Sequence, residues 1–549
     1  MGRGFVLTLG TLALAGGCGE SARPSGAGGA GGAGGAGGAG GAAGAPVSEE
    51  RFAPMGSLSA PSGKGGFRFG ASTAATQIEE AAPESDWALW SRPTAMGGLG
   101  KGTAFVGEAS RGYTKATEDV ALLSQLHLDS YRFSVEWSRI EPRRNQIDEA
   151  ALRHYSNLLD TYKRAGIRPM ITVHHFSNPV WIHDPRDADC AHGPSDSNLC
   201  GLGHPQGGPL VIAEMAELAR LLAERFGDRV DEWGTLNEPI NYLVGGYLVG
   251  YFPPGKFTLT TIKDRFLPVL RDYISAHAAM YRAIKAADTI DADGDGVAAA
   301  VGIPHAVISF VAARGNLPST DPEDVAMRDR INSIYVWAFP EAAMSGGLDT
   351  DLDGRADEMH PEWAGTLDWL GLQYYFRTGV TASTPLIGEP LNGIFCFRDY
   401  DFGACLAPGD PTWVVPAMGY EFWAPGLREQ LKAFSARWPS LPLVVTESGI
   451  ATGVGRRRAE HIVRSLEQIA QARAEGVDVR GYYHWSLYDN FEWDSGFGPR
   501  FGLYKVDFAG AYARTATEGA TMLGDIAGAR RLTTMQRMVY GGGGPMTPE

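Results

Sequence analysis

Short apolar runs of about five residues alternate along this chain with longer stretches whose apolar residues recur every three or four positions. Eight of the short runs have the length and composition of buried parallel strands. They are Phe67–Ser72, Ser130–Val135, Pro169–Val173, Glu232–Leu236, Val301–Ala306, Trp369–Tyr374, Leu443–Thr446 and Gly481–Trp485. The periodic stretches between them predict amphipathic helices, among them Glu118–Leu126, Ala150–Ala165, Ile212–Phe226, Leu267–Ala287 and Arg457–Glu475. Eight strands separated by helices predict an α/β fold, a (β/α)8 barrel of the TIM type, as a single domain over residues 61–540. A chain of 549 residues is long for that fold, so the loops carry insertions.

Outside the alternating pattern the two ends read differently. Arg3, the apolar stretch Phe5–Leu14 and Ala15-Gly16-Gly17-Cys18 have the charge, apolar core and small-residue cleavage region of a bacterial secretory signal. The small residues before Cys18 resemble a lipobox, which makes residues 1–18 a lipoprotein-type signal and Cys18 the lipid anchor. Ala15 stands where that pattern more often has leucine, and the alternative is an ordinary signal peptide with a chance cysteine. Gly-Gly-Ala repeats follow, and residues 19–60 are expected to form a flexible tether because they bury little apolar surface. Residues 541–549 are expected to form a disordered tail. The expected location is therefore the cell envelope, with the protein exported and lipid-anchored on the outer membrane or the periplasmic or extracellular face.

A net charge of −15 argues against nucleic acid or an anionic membrane face as partner, so membrane contact is expected only through the anchor. Of five cysteines, Cys18 belongs to the signal and the others form two local pairs, Cys190 with Cys200 and Cys396 with Cys405. An oxidising compartment would make both pairs disulfides; free thiols or a metal site are the alternatives, and no clustered histidines accompany them. Two loops, Asp291/Asp293/Asp295 and Asp349/Asp351/Asp353/Asp357, have the alternating oxygens of a calcium loop but lack the distal glutamate of an EF-hand. Structural calcium is a candidate at the second loop, against a reading of both as solvated turns.

The polar residues at the proposed strand ends carry the chemistry. Gln77, Arg132, His175, Asn237, Glu238, Tyr375, Glu447 and Trp485 mostly fall at or just past the carboxyl end of a strand, the face on which barrel enzymes build their sites. Glu238, in Thr235-Leu236-Asn237-Glu238-Pro239, and Glu447, in Val445-Thr446-Glu447-Ser448-Gly449, form a pair of carboxylates of the sort that glycosidic bond cleavage requires. One donates a proton to the leaving oxygen, and the other attacks the sugar carbon or activates water. Taken singly, each residue has a plainer reading: Asn-Glu-Pro as a helix start, Arg132 as a buried ion-pair partner, His175, Trp485, Trp493 and Phe501 as core.

In their joint order these motifs resemble glycoside hydrolase family 1, the retaining β-glucosidases and β-galactosidases, from about Phe67 to Phe508. FRFGAS leading to Gln77-Ile78-Glu79 is similar to the family's first strand; YRFSVEWSRIEP supplies Arg132, VHHFSNPVW supplies His175, and TLNEP supplies Asn237 and Glu238. GLQYY supplies Tyr375, VTESG supplies Glu447, and WSLYDNFEW with RFGL supplies Trp485, Glu492, Trp493 and Phe501. The resemblance implies Glu447 as nucleophile, with Arg132 and Tyr375 beside it. It implies Glu238 as acid/base, Asn237 as the contact to the 2-hydroxyl, and Gln77, His175, Trp485, Glu492, Trp493 and Phe501 as further sugar-binding residues. Departures from the family pattern are Gln373 for asparagine, Ser448 for asparagine, Glu80 for glycine and Phe176 for tryptophan, all expected to bear on subsite shape.

Arg132 and Tyr375 are expected to keep Glu447 ionised, and the charge of Glu447 to keep Glu238 protonated. Glu492 beside Trp493 suits an unphosphorylated sugar, and no cofactor is expected. The expected partner is a β-glycoside or oligosaccharide cut at its terminal non-reducing bond, with β-glucosidase the leading activity and β-galactosidase or β-fucosidase beside it. A transglycosidase using the same intermediate and a non-catalytic carbohydrate-binding lipoprotein are the competing readings.

Overall fold

The computed structural model describes residues 48–549 apart from 81, 83–84, 383–390, 392 and 397–400. The signal, Cys18 and the repeats of the tether lie outside the described residues.

Eight strands form the barrel: β1 (Arg68–Ser72), β2 (Ser130–Ser134), β3 (Arg168–His174), β4 (Glu232–Leu236), β5 (Ala300–Arg314), β6 (Trp369–Thr381), β7 (Leu443–Ser448) and β8 (Val479–Trp485). Each pairs in parallel with the next, and β8 returns to β1 with Gly481 opposite Arg68, which closes the sheet on itself. The (β/α)8 barrel expected from the apolar pattern is the observed fold. Strand β2 shows why its sequence suits this place. Tyr131 and Phe133 turn outward onto Tyr162 of the helix Glu149–Ala165, with ring centroids 5.5 and 5.6 Å apart, while Arg132 turns inward to Thr172 and Glu447. That helix begins where the Asp148 carboxylate accepts from Ala150 N and Ala151 N, and it ends at Gly166, whose φ of 71° suits a glycine.

The folded part starts earlier than residue 61. Glu50–Arg51 pairs with Arg531–Leu532, Phe52 packs on Phe67 and Phe69, and Leu58 is fully buried against Met170, Trp369, Val444 and Tyr483 inside the barrel. Two large apolar side chains thus remove residues 50–60 from the tether, because each gains about 1.5–3 kcal/mol on leaving water.

At the other end residues 541–549 are packed rather than disordered. Arg464 donates to Gly544 O and Pro545 O, Arg457 donates to Thr547 O, and Thr452 Oγ1 and Gly453 N donate to the Glu549 carboxylate. Met546 is buried in one cluster with Trp485 and Phe501. The buried guanidinium groups of the helix Gly455–Ala474 need acceptors, and the tail's carbonyls supply them.

Strands β5 and β6 also run past their expected ends at Ala306 and Tyr374. They stay paired as far as Ala312 and Val380, above the barrel rim, where short strands at Leu317–Pro318, Ile394–Phe395 and Tyr420–Glu421 flank them. The insertions expected from chain length therefore form a small sheet standing on the catalytic face.

Candidate active site

Glu238 follows β4 in a left-handed conformation, with φ of 37° and ψ of 59°. Pro239 disfavours the right-handed helical region for the residue before it and opens the short helix Pro239–Leu243, so the chain turns at Glu238. The strands on either side hold that strained turn: Glu238 N donates to Pro304 O of β5 at 2.8 Å, and Asn237 N donates to His174 O of β3 at 2.9 Å.

Glu447 reaches the same rim through a bulge in β7. Leu372 lies opposite Val445 but Gln373 lies opposite Glu447, so β7 carries one extra residue there. Since side chains alternate along a strand, an extra residue reverses which face the following side chains occupy. The Glu447 carboxylate is thus directed to the barrel interior, where it pairs with Arg132 Nη1 and accepts from Tyr375 Oη at 2.8 Å.

Arg132 uses every edge of its guanidinium. Besides Glu447 it donates from Nε to Thr172 Oγ1 at 2.9 Å and from Nη2 to Asn237 Oδ1 at 2.6 Å. Gln373 Nε2 donates to that same oxygen at 2.9 Å. Two donors on Oδ1 orient the Asn237 amide, so its Nδ2 donates to His175 Nε2 at 2.9 Å. His175 Nε2 is then an acceptor and the ring proton sits on Nδ1. Burial and the nearby Arg132 charge hold this imidazole's pKa well below the ordinary histidine value, which keeps it neutral.

The other sugar-site candidates converge on the same place. His175 lies between Trp485 and Trp493, with centroids 6.0 and 5.9 Å away, and Phe501 meets Tyr375 edge-on at 6.1 Å. Gln77 Nε2 donates to Phe491 O at 2.9 Å and approaches Glu492 Oε2 at 3.4 Å. Gln77 Oε1, His175 Nδ1 and Gln373 Oε1 are buried with no hydrogen-bond partner among the described residues. Buried polar atoms are seldom left so, and an acceptor, a donor and an acceptor in one aromatic-walled pocket match a polyhydroxylated guest.

Both carboxyl groups have raised pKa values. Glu238 is pushed up to about 8, first by burial and then by the charge of Glu447. Glu447 is also raised by burial, while the charge and hydrogen bond of Arg132 and the hydroxyl of Tyr375 pull it back. The Glu447 charge expected to keep Glu238 protonated is the smaller cause; burial is the larger, and the charge adds to it.

The family model for glycosyl hydrolase family 1 matches residues 62–531. The chain belongs to that family. It is 31% identical to the beta-galactosidase of Saccharolobus solfataricus, over 83% of this chain and 95% of the relative. It is 27% identical to the coniferin beta-glucosidase of Pinus contorta, over 80% and 87%. The beta-glycosidase from Pyrococcus horikoshii superposes with a TM-score of 0.70 at 26% identity, covering 86% of this chain and 96% of that one. This family 1 enzyme is a retaining β-glycosidase whose catalysis needs no cofactor.

The departures from the family pattern separate into two groups in this β-glycosidase. Glu80 turns away from the site and accepts from Tyr113 N and Thr114 N at the start of the helix Gly112–Gln125. Ser448 lies 3.4 Å from His461 Nε2 in the buried wall. Gln373 and Phe176 stay in the site, the first on Asn237 and the second with its ring centroid 5.2 Å from that of Trp493. Arg500 pairs with Asp489 at 3.6 Å, in line with a structural role.

Three residues around the carboxyl pair carry no motif and were missed: Asn241, which donates to Glu238 Oε2 at 2.9 Å; Tyr335, which donates to Asn241; and Tyr420, whose phenol feels the charges of Glu492 and Glu238. Only Asn241 had a signal, its position three residues after Glu238 on the helix that Pro239 opens.

Both expected disulfides are formed, Cys190–Cys200 and Cys396–Cys405. In the second acidic loop Asp349, Asp351 and Asp353 bring carboxylate oxygens within 4.8 Å of one another. Asp357 stays outside that group because its carboxylate accepts from Thr350 N and Oγ1.

Proposed function

We propose that this enzyme hydrolyses terminal non-reducing β-D-glycosidic bonds with Glu447 as nucleophile and Glu238 as acid/base, with glucosides as leading substrates and galactosides and fucosides also cut. The observation that carries this reading is the contrast between the buried Glu447 and the half-buried Glu238. Glu447 has a guanidinium and a phenol on its oxygens, whereas Glu238 has a neutral amide and a pKa near 8. In the first step the Glu238 proton passes to the glycosidic oxygen as Glu447 bonds the anomeric carbon and the old bond breaks. In the second, water gives a proton to Glu238 as it displaces Glu447. Glu492 beside Gln77 and the aromatic walls fit a neutral sugar, and the relatives' names include both beta-galactosidase and beta-glucosidase.

A panel of aryl β-D-glucoside, galactoside, fucoside and mannoside tests this, with Glu447→Ala as control. The glucoside is expected to show the highest kcat/KM. A different leading sugar would overturn the preference, and transfer products dominating at low acceptor concentration would favour the transglycosidase.

The disulfide Cys396–Cys405 supports a reading of the insertions as the leaving-group entrance. Cys405 N donates to Asn316 Oδ1 beyond the end of β5, and Phe395 meets Phe310 at 5.8 Å. Replacing both cysteines by serine is expected to change the ranking of aryl leaving groups; an unchanged ranking would remove the role.

For location, we propose attachment to the cell envelope through lipid on Cys18. Loss of fatty-acid labelling in Cys18→Ala is the expected result.

A further inference from the structure

The helix Pro239–Leu243, which follows Glu238, runs directly into a π-helical turn, Val244–Leu248; of two further π-helical turns among the described residues, Ile262–Phe266 and Ser333–Trp337, the latter lies between β5 and β6. Such turns are rare and recur at functional sites. From the helix Pro239–Leu243 Asn241 donates through Nδ2 to Glu238 Oε2 at 2.9 Å; from the turn Ser333–Trp337 the buried Tyr335 hydroxyl donates to Asn241 Oδ1. Tyr335 is itself fixed, its ring edge-on to Phe310 at 5.5 Å.

An amide can present either end to a carboxyl group, and the two ends have opposite consequences. With Nδ2 toward Glu238, Oε2 is occupied as an acceptor, and the proton of the acid form must sit on Oε1. With Oδ1 toward Glu238, the amide would accept the acidic proton and hold it back from a substrate. Here the Tyr335 hydroxyl donates to Oδ1, which leaves Nδ2 for Glu238; the same hydroxyl accepting from Nδ2 would go with the other orientation. We propose that Asn241, oriented by Tyr335, is a positioning residue that assigns the acid proton of Glu238 to Oε1 and keeps it available to the leaving oxygen.

This inference rests on the reading of Glu238 as acid/base. The charges acting on Glu238 from other elements are Glu447, Arg132 and Glu492, and the phenols of Tyr375 and Tyr420 also sense it. None of them bonds Oε2 in the way Asn241 does. The Asn241 hydrogen bond favours the ionised form, so removing it raises the Glu238 pKa further.

The test compares Asn241→Leu and Tyr335→Phe with the unaltered enzyme on aryl β-glucosides whose phenols span poor to good leaving groups. Both variants are expected to lose about tenfold in kcat/KM on the poor leaving groups and little on the 2,4-dinitrophenyl glucoside, which needs no proton. In Asn241→Leu the alkaline limb of kcat/KM is expected to move up by about one pH unit. A purely structural role would lower every substrate alike, with the limb in place. That outcome in both variants, at a retained melting temperature, overturns the inference. Glu238→Ala distinguishes the two levels: if it keeps full activity on poor leaving groups, the reading of Glu238 fails and the inference with it. If it loses them while the Asn241 and Tyr335 variants behave uniformly, only the inference fails.

Discussion

Replacing Glu447 by alanine is expected to lower turnover of aryl β-glucosides by about 10⁴- to 10⁶-fold, and azide should restore part of it as the α-glucosyl azide. The size follows from the absence of a substitute. Arg132 can only donate, Tyr375 holds its proton because burial raises its pKa well above the ordinary phenol value, and among the described residues no other carboxylate bonds Arg132. The stereochemistry follows from the cavity. An anion entering where the Glu447 carboxylate was would meet the same arginine and tyrosine donors and attack the sugar from that side, which inverts a β-glycoside to an α-product. Recovery of the β-azide, or a loss below tenfold, would show that Glu447 is not the attacking group. The variant should also fold less well. Arg132 is fully buried, and removing its charged partner leaves a guanidinium with Thr172 and Asn237 alone among the described residues, an imbalance that typically costs about 3–5 kcal/mol.

The barrel was legible because its apolar runs and helical periods are long and regular, and Glu232–Leu236 and Leu267–Ala287 have the expected ends. What escaped the apolar pattern depends on partners distant in sequence. Residues 50–60 read as tether by composition, yet Phe52 and Leu58 find Phe67 and the inside of the barrel. Residues 541–549 have no pattern of their own and are ordered by Arg457 and Arg464 of another element. At the site, Gln77, Arg132, His175, Asn237, Tyr375, Glu447 and Trp493 were legible from motifs and do lie together. The β7 bulge that turns Glu447 inward was not, because a register shift is a property of two strands. Nor was Tyr335, some hundred residues from the carboxyl group that it influences through Asn241.

Glu238→Ala is expected to separate the two half-reactions. Without a proton donor, kcat/KM on aryl glucosides with poor leaving groups should fall by about 10²- to 10⁴-fold, while the 2,4-dinitrophenyl glucoside should still form the intermediate readily. Its turnover should then stall at hydrolysis, which needs a base, and azide should accelerate that step and give the β-azide, since it enters on the leaving-group side. The pH dependence follows from the same residue. Glu238 must be protonated to act first, and its pKa is raised to about 8, so kcat/KM of the unaltered enzyme should fall as pH rises through about 8. The lower limb belongs to Glu447, which must be ionised and whose pKa burial also raises, so activity should fall on acidification before an ordinary glutamate would titrate. The two limbs report a coupled pair, because the charge of each enters the proton affinity of the other. Removing Glu238 should therefore abolish the alkaline limb on the activated substrate and leave the acid limb near its place, since Glu238 is already protonated and uncharged where Glu447 titrates. An alkaline limb that persists in Glu238→Ala would assign the proton to another group.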